Sequence, residues 1–150
     1  MTWRQTLGML GVAAVLVAGC ASRDSAMTEK KPLYDRLGGK PAITAVVDDF
    51  IGNVAGDARI NKRFADANIP QLKTMLVDQI CQATGGPCTY KGQTMQAAHK
   101  GMKITDAEFT ALVEDLVKSL DKFKVGAQEK NELLSCSGRH EGGYSRPVAA

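Results

Sequence analysis

Apolar residues recur at helical spacing in three stretches of this chain, and strand-like alternation is missing. Ile43, Val46, Val47, Phe50, Ile51 and Val54 fall at i, i+3, i+4, i+7, i+8 and i+11, which winds them onto one side of an α-helix. After Pro70, Leu72, Leu76 and Ile80 share a face with Met75 beside them. Phe109, Leu112, Val113, Leu116, Val117, Leu120 and Phe123 make the longest stripe. Each stripe must be buried against another helix, so the expected fold is all-α. A chain of 150 residues suits one such domain and can bury a real core.

Helix start and stop signals divide the pattern. Leu33 to Leu37 reads as a short helical lead-in ended by Gly38-Gly39, and Pro41 suits the first turn of the next helix. Gly56-Asp57 breaks that helix, and Asn61-Lys62-Arg63-Phe64 leads into a loop. Pro70 opens another helix and Gly85-Gly86 closes it by supplying left-handed backbone. Thr94 can cap a short helix, and Thr105 with Glu108 forms a capping-box pair at the head of the longest stripe. A last helix is expected from about Ala127 to Leu134, and residues 136–150 read as a disordered polar tail.

The first nineteen residues read as an address rather than structure. Arg4 gives a positive start, Leu7 to Ala18 is apolar but too short to span a bilayer, and Val17-Ala18-Gly19-Cys20 ends it. Cysteine after small residues resembles the bacterial lipobox, which implies acylation of Cys20 and a lipid bilayer as partner. Ala21 after it looks like an outer-membrane sorting signal, so the expected location is the periplasmic face of the outer membrane. An ordinary signal peptide cut nearby is the alternative. Residues 20–31 then form a flexible tether and residues 32–135 the folded domain.

A net charge of +3 and few aromatics leave no interleaved basic and aromatic surface, so no nucleic-acid partner is expected. Cys81, Cys88 and Cys136 can oxidise outside the cytoplasm, and three thiols allow three alternative single bridges. Gly85-Gly86-Pro87 turns the chain back so that Cys88 can approach Cys81, a pairing that stands against free or otherwise paired thiols. No C-x₂-C zinc pattern occurs.

His99 is one of two histidines. It ends the short helical run, precedes a Lys-Gly-Met-Lys turn and is followed at once by the strongest amphipathic helix. The other, His140, lies in the tail and reads as a solvated residue. The run Met95-Gln96-Ala97-Ala98-His99-Lys100-Gly101-Met102-Lys103-Ile104 resembles the proximal segment of group I truncated haemoglobins. So do Leu33-Tyr34-Asp35-Arg36-Leu37-Gly38-Gly39, Asp49-Phe50, and Gly85-Gly86-Pro87 followed by Tyr90-Lys91-Gly92. These pieces stand in that family's order between about Leu33 and Leu134.

The resemblance implies a two-over-two helical sandwich around haem b. His99 would ligate the iron and Phe64 would stack on the macrocycle. Phe50, Ile51, Leu72, Met75, Leu76, Tyr90, Met95 and Phe109 complete the implied surround. No Cys-x-x-Cys-His occurs, so covalent c-type attachment is not expected. The family's usual tyrosine after Asp-Phe is Ile51 here, and its facing glutamine is replaced by Leu72 and Leu76, with Gln79 one turn later. The distal side is therefore expected to be apolar. Met75 is a speculative sixth ligand, set against packing as an adaptable core residue.

Three functions follow as expectations. The first is a membrane-tethered truncated haemoglobin that binds or transports oxygen, or takes another diatomic gas such as nitric oxide. The second is a haem redox protein carrying electrons or acting on nitric oxide, peroxide or nitrite, served by a periplasmic redox partner. The third is a structural lipoprotein that has lost haem. No catalytic residue is assigned.

Overall fold

The computed structural model describes residues 30–139. The leader, Cys20, most of the tether, His140 and the rest of the tail lie outside the described residues.

Helix α1 spans Leu33–Arg36, α2 Gly39–Gly56, α3 Ile69–Ala83, α4 Met95–Ala98, α5 Asp106–Lys122 and α6 Ala127–Arg139, with a 3₁₀ turn at Asn61–Phe64. No strand occurs among the described residues. The α1–α2 corner needs glycine: Gly38 and Gly39 take φ of 91° and 73°, where a side chain is strained. Asn68 caps α3 by accepting from the Gln71 amide. That helix ends in a Schellman motif, with Gly86 N–H to Cys81 O, Gly85 N–H to Gln82 O and Gly85 at φ 86°. The Thr105–Glu108 capping box starts α5 as the sequence expects.

α2 packs against both α3 and α5, and α5 meets α6 where Leu120 and Leu133 share a cluster with Leu33 and Val46. The result is one helix pair, α2 with α3, laid on a second, α5 with α6. Ile43, Val47, Phe50, Ile51 and Val54 of α2 form the main core with Val77, Cys81 and Ala111. Arg36 pins α1 to α6 by pairing with Glu129 and Glu132.

Two expectations need correction. The stripe on α5 does not face inward as a whole: its buried residues are Ala111, Asp115, Ser119 and Leu120, while Phe109 and Phe123 are exposed. Small side chains at Ala111 and Ser119 let α2 come close. Asn53 Nδ2 donates to Ser119 Oγ at 2.8 Å, and Ser119 Oγ donates to Asp49 Oδ2 at 2.9 Å. Lys122 also pairs with Asp49. This polar seam rotates the apolar stripe sideways. The second correction is that α6 does not stop at Leu134. It meets no glycine or proline before Gly138, and Ser135 Oγ bonds back to Asn131 O, so the helix continues through Cys136 to Arg139. Residues 136–139, expected in the tail, are thus helical.

Candidate functional site

Turned this way, α5 sets Phe109 and Leu112 beside a cleft, with Leu112 also packing on the main core. The cleft holds about 630 Å³, within the range of small-molecule and cofactor sites. One wall is the 3₁₀ turn with Ile60, Arg63 and Phe64; the opposite one is α4 with Met95 and His99; Phe109 and Leu112 of α5 close it. Ile104 and Phe109 occupy the N′ and N4 positions around the Thr105 cap, where apolar residues commonly pair across a helix start. Both remain 37–38% exposed and turn their carbon surface into the cleft.

His99 is the C-cap of α4, whose N-terminus is capped by the Thr94 side chain accepting from the Ala97 amide. The His99 Nδ1 atom lies 2.8 Å from the Met95 carbonyl oxygen. A carbonyl has lone pairs and no proton to give, so Nδ1 must carry the hydrogen in this bond. In the neutral ring Nε2 is then the lone-pair nitrogen, the state in which an imidazole binds a metal. Among the described residues there is no group of three or more His, Cys, Asp or Glu that could cage a bare ion. One imidazole beside a broad apolar cleft fits a flat cofactor that brings its own in-plane ligands, and it does not fit a metal cage.

The charged residues at the cleft are bound to each other or lie at its edge. Arg63 Nε and Nη2 reach the two Glu108 carboxylate oxygens at 2.7 and 3.0 Å, and Arg63 Nη1 donates to Met102 O at 2.8 Å. The Arg63 guanidinium, helped by the Thr105 amide and hydroxyl, holds the Glu108 carboxyl at about 2. This fork ties the 3₁₀ turn to the turn that follows His99. Lys100 stands exposed next to His99 on the wall.

Of the residues expected around a cofactor, His99, Phe64, Met95 and Phe109 line the cleft together. Phe50 and Ile51 do not; they are 8% and 6% exposed inside the main core. Leu72 and Leu76 are half-buried and pack on that same core. The α2–α3 contact takes up both stripes, which removes these side chains from the cleft wall. Met75 is half-buried and off the wall. Tyr90 is off the wall too, its hydroxyl donating to Gln93 O at 2.9 Å. Gln79 turns toward α4, where its Nε2 donates to Met95 Sδ at 3.2 Å.

Ile60, Arg63, Lys100, Met102, Ile104 and Leu112 line the cleft without having been assigned to the cofactor's surround from sequence. The hydrophobic-staple spacing of Ile104 and Phe109 could have flagged Ile104. Nothing local marks Arg63, whose partners are thirty-nine and forty-five residues away.

Cys81 and Cys88 form a disulfide with a Cα–Cα distance of 5.7 Å. Cys136 is free and half-buried, beside a smaller cleft of about 340 Å³ between α1 and α6 that holds no imidazole.

Residues 32–139 match the family model described as bacterial-like globin. A group 1 truncated haemoglobin of Tetrahymena thermophila is 32% identical over 102 residues, covering 68% of this chain and 84% of that one. One from Mycolicibacterium paratuberculosis is 32% identical over 106 residues, covering 71% and 78%. In structure, the ferric truncated haemoglobin of Tetrahymena pyriformis superposes with a TM-score of 0.69 at 30% identity, covering 73% of this chain and 93% of that one.

Proposed function

Because the chain belongs to the bacterial-like globins, among the group 1 truncated haemoglobins, we propose that it holds haem b non-covalently in the cleft and binds a diatomic gas there, oxygen or nitric oxide. The carrying observation is the His99 Nδ1 to Met95 O bond, which leaves Nε2 as the lone-pair nitrogen of an imidazole that lines the cleft. When bound, haem would supply an iron able to take an imidazole from the protein and a gas molecule. His99 would provide that imidazole. Phe64, Phe109, Leu112 and Ile104 offer carbon surface to the ring, and Lys100 offers a cation to its carboxylates.

Gas binding is favoured over peroxide or nitrite chemistry by the state of the charged groups. A general acid or base works best with a pKa near the operating pH. Glu108 is held ionised near 2 by Arg63, so it has no proton to deliver at neutral pH. Gln79, one turn past the family's facing glutamine, is engaged with Met95 and is not counted as a donor to bound gas. Met75, lying off the cleft wall, is not proposed as a ligand.

Absorption of the purified mature chain tests the reading. A Soret band and a spectrum that changes with carbon monoxide are expected, and both should be lost in His99→Ala while helical circular dichroism persists. Stoichiometric haem with an unchanged spectrum in His99→Ala would refute the assignment of the ligand.

We further propose that Cys20 is acylated and tethers the domain to the periplasmic face of the outer membrane. The Val17-Ala18-Gly19-Cys20 sequence supports this, and a Cys81–Cys88 disulfide suits an oxidising compartment. Radiolabelled palmitate should be incorporated into the wild type and absent from Cys20→Ser. A Cys20→Ser chain that is still cut and released soluble would indicate an ordinary signal peptide.

A further inference from the structure

The imidazole that faces the cleft is carried by a segment with little structure of its own. Residues 87–94 form no regular element, and α4 has only four residues, none of them buried. Its position is set by attachments to the last two turns of α3. Cys88 is bonded to Cys81, the Tyr90 amide donates to Gln82 Oε1 at 2.6 Å, and Gln79 Nε2 donates to Met95 Sδ. We propose that the Cys81–Cys88 disulfide and Gln79 are positioning groups for His99, fixing where and how firmly its imidazole is presented. This rests on the haem reading given above.

The connection runs through Met95. Its thioether accepts from Gln79 while its carbonyl accepts from His99 Nδ1–H. Whatever moves Met95 moves the acceptor that sets the ring's tautomer and orientation. A thioether is a weak acceptor, so the Gln79 contact alone is a soft hold. The disulfide is the firm one because its inner end is immobile. Cys81 is fully buried in the main core, and Gly86 sits so close that an added Cβ would lie 2.7 Å from Cys81 Sγ and 2.4 Å from the Tyr34 ring. Tyr34 is itself fixed, its hydroxyl accepting from the Lys40 amide at 3.0 Å. The start of the segment is thus wedged between Tyr34 and the bridge. Cutting the bridge leaves the segment before His99 to the bonds with Gln82 and Met95 and to the packing of residue 88 on the core, while the Arg63–Met102 bond still holds the turn after it. Orientation of the histidine by groups beyond the ligand governs metal affinity and imidazole donor strength.

The experiment uses the haem-loaded chain in a Cys136→Ser background with Cys20 acylated or replaced by Ser, so that a freed Cys81 has no other thiol of the chain to pair with. Ferric haem is transferred to excess apomyoglobin and followed at the Soret band, and the ferrous iron–histidine stretch is recorded by resonance Raman. Cys88→Ser should still bind haem stoichiometrically but release it about tenfold faster. Its iron–histidine band should shift or broaden. Gln79→Leu, with the bridge intact, should show about threefold faster release and a band change in the same direction. Unchanged release and an unchanged band in both variants would overturn the proposal. So would a lower apoprotein unfolding midpoint in Cys88→Ser with no change in the band, since the bridge would then be only a staple for the fold. If Cys88→Ser does not fold, Gln79→Leu decides by the same two readouts. A parent chain that takes up no haem refutes the haem reading instead.

Discussion

Replacing Asp115 with Asn should stabilise the fold at neutral pH, an outcome opposite to that of most buried substitutions. Asp115 lies on the inner face of α5 and is only 6% exposed, and its Oδ2 has no hydrogen-bond partner. Burial pushes its carboxyl above the ordinary value of 3.8, and the nearby Asp57 adds to the rise, while Lys118 and Arg59 oppose it. A group whose folded pKa is raised is tolerated in its neutral form and resisted in its charged form. The wild type therefore carries no penalty at pH values below the ordinary carboxyl range. The penalty grows as pH rises through the window between the unfolded and folded values and is constant above it. An unpaired buried polar group costs about 1–3 kcal/mol. Because Asn keeps an imperfectly satisfied amide, the gain from removing the charge alone should be about 1 kcal/mol at pH 7. For a domain of this size that corresponds to about 4 °C in Tm. Thermal unfolding by circular dichroism from pH 3 to pH 8, on wild type and Asp115→Asn, reads it directly. The two curves should merge at the acid end and separate toward neutrality. A variant less stable at pH 7, or a difference independent of pH, would refute the account of Asp115 as a buried, unpaired charge.

Two further outcomes follow from the same geometry. The Glu108 carboxyl should titrate with a midpoint of about 2 by carbon NMR, so the Arg63 fork is complete above pH 4.5 and lost as pH falls through about 2; in Arg63→Ala the midpoint should return toward 4.5, and a midpoint already there in the wild type would show that the fork does not persist in solution. Lys124 ends α5 in left-handed backbone at φ 56°, inside a Schellman motif closed by Val125 N–H to Leu120 O, so Lys124→Gly should raise stability by about 1 kcal/mol in urea unfolding, and a loss would mean that the Lys124 side chain contributes more than its backbone strain costs.

Much of the architecture was legible in local pattern. The Ile43–Val54 stripe, the Gly85-Gly86 stop, the Thr94 and Thr105 caps and the approach of Cys88 to Cys81 are determined by residues within a few positions of each other. Backbone sterics and helix-end hydrogen bonding act over that range, so the sequence states them directly. The place of His99 on the cleft wall was also legible, because its position between a short helix, a glycine turn and an amphipathic helix is itself a sequential arrangement. Membership of the family was carried by the order of such pieces.

What the sequence by itself could not determine is which apolar residues face a ligand and which face another helix. Phe50, Ile51, Leu72 and Leu76 have the same chemistry and period as Phe109 and Leu112, yet the first four pack in the core away from the cleft wall, whereas Leu112 packs on that core and borders the cleft as well, and Phe109 borders the cleft. That choice depends on how α5 is turned about its axis. The close seam of Asn53, Ser119, Asp49 and Ala111 sets that turn, bringing together residues up to seventy positions apart. The Arg63–Glu108 fork and the Gln79–Met95–His99 sequence of bonds were hidden for the same reason. A helical period fixes which side chains share a face, but only packing between helices decides what that face meets.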